Sequence, residues 1–269
     1  MSFRAKTHEG YIIKVLSELL ADNIKIGCFV VSKQGIFFRM TDSHRKLCID
    51  FELLAENFDH YQFQTSSPDQ KILMGINLPF LQKILKPVKK NETIEIIKEN
   101  ETSDTLCFKT IPTKETGDKV TTNYIKIQEI QAIDMALCEE YDQYISIPAC
   151  DYQKMCKDMG SISHDIQIRS TKSSIKFTSD MTGVYSRSIL FGDDADEDEI
   201  YCQHFESAQL NSLKRISGLS LTKSCNIQVF SKADLPVMLK TNVGALGKIR
   251  IYMKSKEQME AEKSSELTD

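Results

Sequence analysis

No stretch of this 269-residue chain approaches the roughly 18 consecutive apolar residues that a membrane-spanning helix needs. No basic segment leads into an apolar one after Met1, so the expectation is a protein that neither spans a membrane nor is secreted. The sequons at Asn91 and Asn100 are then expected to carry no glycan. The eight cysteines contain no CxxC pair and most lie among apolar residues, which reads as reduced core thiols of an intracellular protein. Catalytic signatures are also missing: there is no GxxxxGK[ST], HExxH, GxSxG or GxGxxG. His8, His44, His60, His164 and His204 are scattered, without a Cys or Ser partner at the spacing of a known catalytic pair. The acidic run Asp193 to Glu199 fails as a calcium loop. Counted from Asp194, Glu199 stands where an EF-hand needs glycine and Phe205 where it needs a bidentate glutamate. That run reads as an exposed hairpin tip; a nuclease built on it would lose metal-dependent cleavage in Asp194→Ala. No catalytic residue, metal or cofactor is expected.

What is present is a duplication. Asn77 to Thr110 reads helix (LPFLQKILK), strand (TIEIIKE), acidic turn, strand (DTLCFKT), and Ser207 to Thr241 reads helix (SAQLNSLKRIS), strand (NIQVFSK), Ala233-Asp234 turn, strand (LPVMLKT). Upstream, YIIKVLSELL followed by CFVVSKQGIFFRM is answered by DYQKMCKDM followed by IQIRSTKSSIKFTS, at a spacing of roughly 130 to 140 residues that is too long for a solenoid. One domain therefore occurs twice, each copy with two short helices and many short alternating strands, which is sheet-dominated α+β with mostly antiparallel pairing. The expected boundaries are 1–126 for the first domain, 127–142 for a connector, 143–255 for the second domain and 256–269 for a flexible charged tail without a β pattern.

The four helices share a charge pattern. Ile12, Ile13, Val15, Leu16, Leu19 and Leu20 fall on one face with Lys14 opposite. Phe80, Leu81, Ile84 and Leu85 oppose Lys83 and Lys86; Tyr152, Met155, Cys156 and Met159 oppose Lys154 and Lys157; Leu210, Leu213 and Ile216 oppose Lys214 and Arg215. A solvated helix face explains any one of these. A chain of net charge −4 that places cations on the outer faces of all four suggests a phosphate-facing surface.

These strings, with Met40-Thr-Asp-Ser-His44, FELLAENFDHYQF, MGINLPFLQKILK, YIKIQEIQ, KMCKDM and ADLPVMLKTNVGALGKIRIYMKSK, run collinearly almost end to end. In that order the chain resembles the proliferating cell nuclear antigen family of sliding clamps. The resemblance implies a duplicated processivity fold, with three chains closing a ring of six domains, helices lining the hole and sheets on the rim. It implies a homotrimeric DNA sliding clamp and processivity factor, not an enzyme, acting in DNA replication and repair. Its partners would be duplex DNA, read without regard to sequence, and a DNA polymerase, clamp loader, flap endonuclease and DNA ligase held through clamp-binding peptides, with no membrane. Its place would be the nucleus or a cytoplasmic viral replication compartment. Lys14, Lys83, Lys86, Lys154, Lys157, Lys214 and Arg215 would then face phosphates, 3 × 7 = 21 cations per ring. The partner-peptide pocket would be lined by Met40, His44, Leu47, Met135, Leu137, Pro236 and Tyr252. Departures from the family pattern are Arg45, Cys138 and Lys254-Ser255, and of these the added cations Arg45 and Lys254 would favour acidic flanks in partner peptides. The edge strands near Lys119 to Ile127 and Gly183 to Phe191 would pair between subunits with Tyr124 buried at the joint, and Lys172 matches the family lysine that accepts ubiquitin-type modification. A subunit of a heterotrimeric checkpoint-type or multi-paralog clamp, and a monomeric scaffold that does not encircle DNA, are the alternative readings.

Overall fold

The computed structural model describes residues 2–65, 67, 70–100, 102–113, 119–131, 137, 141–193, 201–222 and 225–266. The first half runs β1 (Ser2–Thr7), α1 (Gly10–Asn23), β2 (Ile26–Ser32), β3 (Gly35–Thr41), β4 (Leu47–Leu54), β5 (His60–Gln64), β6 (Ile72–Asn77), α2 (Leu78–Leu85), β7 (Thr93–Lys98), β8 (Thr105–Ile111) and β9 (Thr121–Lys126). The second runs β10 (Ile145–Pro148), α3 (Ala149–Gly160), β11 (Asp165–Ser170), β12 (Ser174–Met181), β13 (Tyr185–Gly192), β14 (Tyr201–Glu206), α4 (Ser207–Ser212), β15 (Asn226–Phe230), β16 (Val237–Val243) and β17 (Gly247–Met253), and α5 (Lys256–Glu266) follows. Apart from β5 and α5, every element has a counterpart in the other half. No described helix is long and apolar enough to cross a membrane.

Three antiparallel sheets result, ordered β5-β1-β7-β8-β9, then β10-β15-β16-β17-β4-β3-β2-β6, then β13-β12-β11-β14. The middle sheet is a composite. Its half β10-β15-β16-β17 repeats β1-β7-β8-β9, and its half β4-β3-β2-β6 is repeated by β13-β12-β11-β14. The two domains therefore join edge to edge where β17 pairs with β4, from Gly247 opposite Leu53 to Met253 opposite Leu47. The duplicated, antiparallel α+β architecture expected from the sequence is the one the chain adopts.

On one side of these sheets lie the helices. α1 packs against α2 and, across the junction, against the turn that follows α4, which also packs against α3, so the four form one continuous layer. α2 begins where the Asn77 side chain accepts the Phe80 N–H at 3.0 Å, with proline in its first turn, an ordinary helix start. α4 differs from the helix expected over 207–217. It stops after six residues and continues as a 3-10 turn over Lys214–Gly218. Leu210, Leu213, Ile216 and Leu219, all buried, recur every three residues, and a three-residue turn keeps such a series on one face where an α-helix would rotate it away. Ser212 and Ser217 hydroxyls bonded to the carbonyls three residues back add to the tightening.

Strands β1, β5, β6, β10 and β14 fall outside the duplicated helix and strand segments read from the sequence. β10 has only four residues, and β5 (HYQFQ) and β14 (YCQHFE) carry few aliphatics; their ladders are completed by neighbours distant in sequence. The edge strand expected near Lys119 to Ile127 runs from Thr121 to Lys126. Gln128 instead makes an isolated bridge to Gly75, with N–H···O distances of 3.0 and 2.8 Å. A Cβ at residue 75 would lie 2.6 Å from the Gln128 carbonyl oxygen, so only glycine lets the connector rest on β6.

The expected charged tail is the clearest correction. Residues 256–266 form α5, started by a capping box in which the Gln258 N–H donates to Ser255 Oγ at 3.3 Å and the Ser255 N–H donates to Gln258 Oε1 at 2.9 Å. The cysteine expectation also needs adjustment: Cys28, Cys48, Cys107 and Cys156 are buried, but Cys150 and Cys202 are exposed.

Candidate DNA-facing layer, subunit edges and partner groove

The buried residues of α1 and α3 are those that the 3.6-residue period selects, which leaves their lysines on the free side of the helix layer. Lys83, Lys86, Lys154 and Lys157 are exposed. Lys14 is half-buried; its ammonium donates to the Val88 carbonyl at 3.1 Å and lies 5.3 Å from the Tyr11 ring. Lys214 donates to Asn211 Oδ1 at 3.1 Å. Two expectations change. Phe80 is not on the buried face of α2: it is 55% exposed, with Lys83 Nζ 5.4 Å from its ring, because at about 100° per residue it stands well around the helix from the buried Leu78, Leu81 and Leu85. Arg215 does not present an unopposed charge, since its guanidinium contacts Glu18 at 2.5 Å and Asp22 at 2.7 Å, both on α1. It fastens the two domains together. Helical periodicity also missed Lys89 and Lys90, exposed in the loop after α2; Lys90 lies 5.7 Å from the Tyr11 ring. The signal was the PVKKN run, which a helical wheel ends before reaching.

Both strands expected as subunit edges are terminal strands of their sheets, β9 of the first and β13 of the last. Their counterparts in the middle sheet are β17 and β4, which pair with each other. Cys107 lies opposite Tyr124 as Met238 lies opposite Tyr252, so Tyr124 is the structural equivalent of Tyr252. Tyr252, opposite Cys48 across the junction, is 5% exposed, whereas Tyr124 is 66% exposed. At the junction Asp50 accepts from Arg39 Nε at 2.9 Å and from Arg250 Nη1 at 3.2 Å. By the same register the equivalents of Arg39, Asp50 and Arg250 are Thr178, Ser188 and Thr122, with the Thr178 and Ser188 hydroxyls 3.0 Å apart. Val120, Val184, Tyr185 and Leu190 are further exposed apolar residues on or beside these edges.

Near the connector a second, small apolar cluster gathers Cys48, Met238 and Tyr252, with Leu137, Tyr141 and Phe230 against it. Leu137 and Tyr252 from the expected pocket belong to it. Pro236 adjoins it through its carbonyl, which accepts the Tyr141 hydroxyl at 2.6 Å. Leu47 is buried in the main core, and Met40 packs against that core, with its sulfur 2.9 Å from the Cys28 N–H, so neither is among the cluster residues. Strand alternation is the reason: Leu47 and Cys48 point to opposite faces of β4. His44 is exposed on a loop organised by Asp42, whose carboxylate accepts from Leu47 N–H at 2.9 Å and from His44 N–H at 3.3 Å. Arg45 is exposed on the same loop with a φ of 56°. Met135 and Cys138 lie outside the described residues, as does most of the acidic run after Asp193. Tyr141, Phe230, Met238 and Cys48 were not foreseen; the apolar PVMLKT strand carries the only hint. Burial pushes the Cys48 thiol up to about 11 and Asp50 adds to it, so this cysteine is a packing group rather than a nucleophile.

Lys172 is exposed in the turn between β11 and β12, where Thr171 Oγ1 accepts the Ser173 and Ser174 N–H groups at 3.3 and 3.0 Å. Among the described residues no group of three or more His, Cys, Asp or Glu is placed to hold a metal. Residues 2–135 match the family model of the N-terminal domain of proliferating cell nuclear antigen, and residues 138–257 match that of its C-terminal domain.

Proposed function

The chain belongs to the proliferating cell nuclear antigen family of DNA sliding clamps, and from that premise we propose that three identical copies close into a ring around duplex DNA and hold a polymerase and other replication and repair enzymes on it. The observation that carries this reading is the junction made once inside the chain and left open at both ends. β17 on β4 is a finished joint, and β9 and β13 are the equivalent edges, without strand partners among the described residues. Pairing β9 of one copy with β13 of the next in the internal register sets Tyr124 opposite Ser186 of the neighbouring copy. Because the two edges differ, the contact is head to tail and closes into a ring when the rotation fits. Bare edges of this kind otherwise invite aggregation.

The same operation would continue the helix layer from chain to chain, α2 against the next copy's α3. With Arg215 engaged by α1, six lysines per chain remain from the expected set, 3 × 6 = 18 around the hole. Diffuse lysine–phosphate contacts, with no fixed donors aimed at base edges, give binding that is weak, salt-sensitive and indifferent to sequence, and so allow sliding. Processivity follows from topology, since a tethered enzyme experiences a high effective concentration of its DNA end. The cluster around Tyr252 and Leu137 would receive the aromatic residues of partner peptides, with connector main chain alongside. The clamp acts as a scaffold in this reading, in the nucleus or at a viral replication site.

Light scattering and DNA loading test it together. A single species near three chains, retained on circular DNA and lost from linearised DNA, is expected. Monomers that bind both DNA forms equally would establish the non-encircling scaffold, and a chain that assembles only with a paralog would establish the heterotrimer.

A further inference from the structure

The cations around the groove are already engaged by carboxylates of this chain. Lys46 lies 2.6 Å from Glu206, Lys232 lies 2.9 Å from Asp142, and Lys254 Nζ contacts both Glu262 oxygens, at 2.5 and 2.7 Å. The third pair differs from the others in what carries the acid. Glu206 starts α4 and Asp142 precedes β10, but Glu262 rides on α5. That helix is attached to the body mainly by polar contacts: Lys256 to Asp165, the Glu257 carboxylate to the His204 ring at 2.6 Å, and Gln258 Nε2 to the Asp234 carbonyl at 3.0 Å, with only Met259 half-buried beyond them. A helix with so little apolar burial is drawn from the low-stability end of the fold and opens without global unfolding.

Lys254 stands beside the groove. It follows Tyr252 by two residues, its N–H donates to the Lys46 carbonyl at 2.9 Å, and its charge reaches the Cys48 thiol. The Gln258 contact ties the same helix to the turn just before Pro236. We propose that α5 is a built-in acidic competitor, Glu262 occupying the cation that the acidic flank of a partner peptide would otherwise take. The proposal rests on the groove reading above and adds its regulation. Peptides with neutral flanks bind the Tyr252 cluster with α5 in place; peptides with acidic flanks gain their extra contact only by displacing Glu262. The clamp then discriminates weakly among partners while α5 is docked and favours acidic-flanked ones when it is released.

Fluorescence anisotropy on the full-length chain tests this with two peptides, each carrying a glutamine, an aliphatic residue and two adjacent aromatics at one-turn spacing. One is flanked by Asp and Glu, the other by Ser. Glu262→Gln should tighten the acidic-flanked peptide about 2- to 5-fold, the range of an exposed ion pair, and leave the Ser-flanked peptide unchanged. Adding Lys254→Gln should erase the gain. Amides of residues 258–266 should exchange faster on binding the acidic-flanked peptide and not the other. Equal effects of Glu262→Gln on both peptides, or none on either, while Leu137→Glu still abolishes binding, overturns the competition and leaves the groove standing. A Ser-flanked peptide that fails to bind, or ignores Leu137→Glu, overturns the groove reading and the competition with it.

Discussion

The junction inside the chain and the two strands β9 and β13 are equivalent edges, paired in the first case and terminal in the second. Inside, β17 meets β4 over a buried Tyr252 and a carboxylate shared by two arginines. At the ends, Tyr124 is exposed and the charged triad is replaced by Thr178, Ser188 and Thr122. The joint inside the chain holds one nearly buried carboxylate between two partly exposed arginines, partners that are never separated. A joint that must open and close is better served by hydroxyls, which lose little when solvated, whereas charges taken out of water at each closure carry a desolvation cost. The helix layer repeats the contrast, with Arg215 clasped by Glu18 and Asp22 inside, and lysines of α2 and α3 left to solvent at the ends.

The sharpest way to break the comparison is to truncate both equivalent tyrosines. Tyr252→Ala removes a buried aromatic and should cost about 3 to 5 kcal/mol of folding stability by chemical denaturation. Tyr124→Ala should change monomer stability by no more than about 0.5 kcal/mol, as an exposed site does, yet leave the protein monomeric at micromolar concentration by light scattering. A Tyr124→Ala chain that remains trimeric on dilution to nanomolar shows that the joint lies elsewhere.

Next in size, Lys83→Glu with Lys86→Glu should leave assembly intact and weaken retention on circular DNA. The log–log salt slope should shrink by about 0.9 for each phosphate contact removed. An unchanged slope places α2 away from DNA. Arg215→Ala serves as the contrast. It should cost about 0.2 to 1 kcal/mol of stability, because the pair is partly exposed, and should not alter the salt slope; a reduced slope would return Arg215 to the DNA-facing set.

The smallest effect concerns α5. Burial raises the Glu257 carboxyl, but hydrogen bonds from its own N–H, from the His204 ring and backbone and from Ser255 outweigh that and bring it down to about 2, from an ordinary 4.5. A folded-state value below the unfolded one means that the contact stabilises docking above about 4.5 and is lost as pH falls toward 2. Amide exchange of α5 should therefore accelerate over that window more steeply in the native chain than in Glu257→Gln, which keeps the Lys256–Asp165 and Lys254–Glu262 pairs. Parallel profiles for the two chains would remove Glu257 from the docking contact.

Much of this molecule was legible beforehand where one element's own period carries the signal. The buried faces of α1 and α3, the hairpin β15–β16 with its turn at Asp234, and the exposure of Lys83, Lys86, Lys154 and Lys157 all follow from spacing and turn chemistry. α5 was legible too, through Ser255 and Gln258, but its polar composition hid a capping box that needs β14 and the Asp234 turn to dock against. Phe80 was misplaced because the buried face of α2 is centred on Leu78, Leu81 and Leu85, which leaves Phe80 well around the helix from the core.

By itself the sequence determined that one α+β domain occurs twice, which residues α1 and α3 bury, and that lysines gather on the faces left over, since these depend on chemistry within a few residues of one another. Only the tertiary structure decided that β17 closes on β4 while β9 and β13 end their sheets among the described residues, that Arg215 is taken up by α1, that Leu47 turns into the core while Cys48 joins the small cluster with Met238 and Tyr252, and that Lys254 is held by Glu262. Each of those is a pairing between segments far apart in the chain, where an edge, a guanidinium or an ammonium has several chemically adequate partners and the packing of the whole selects one.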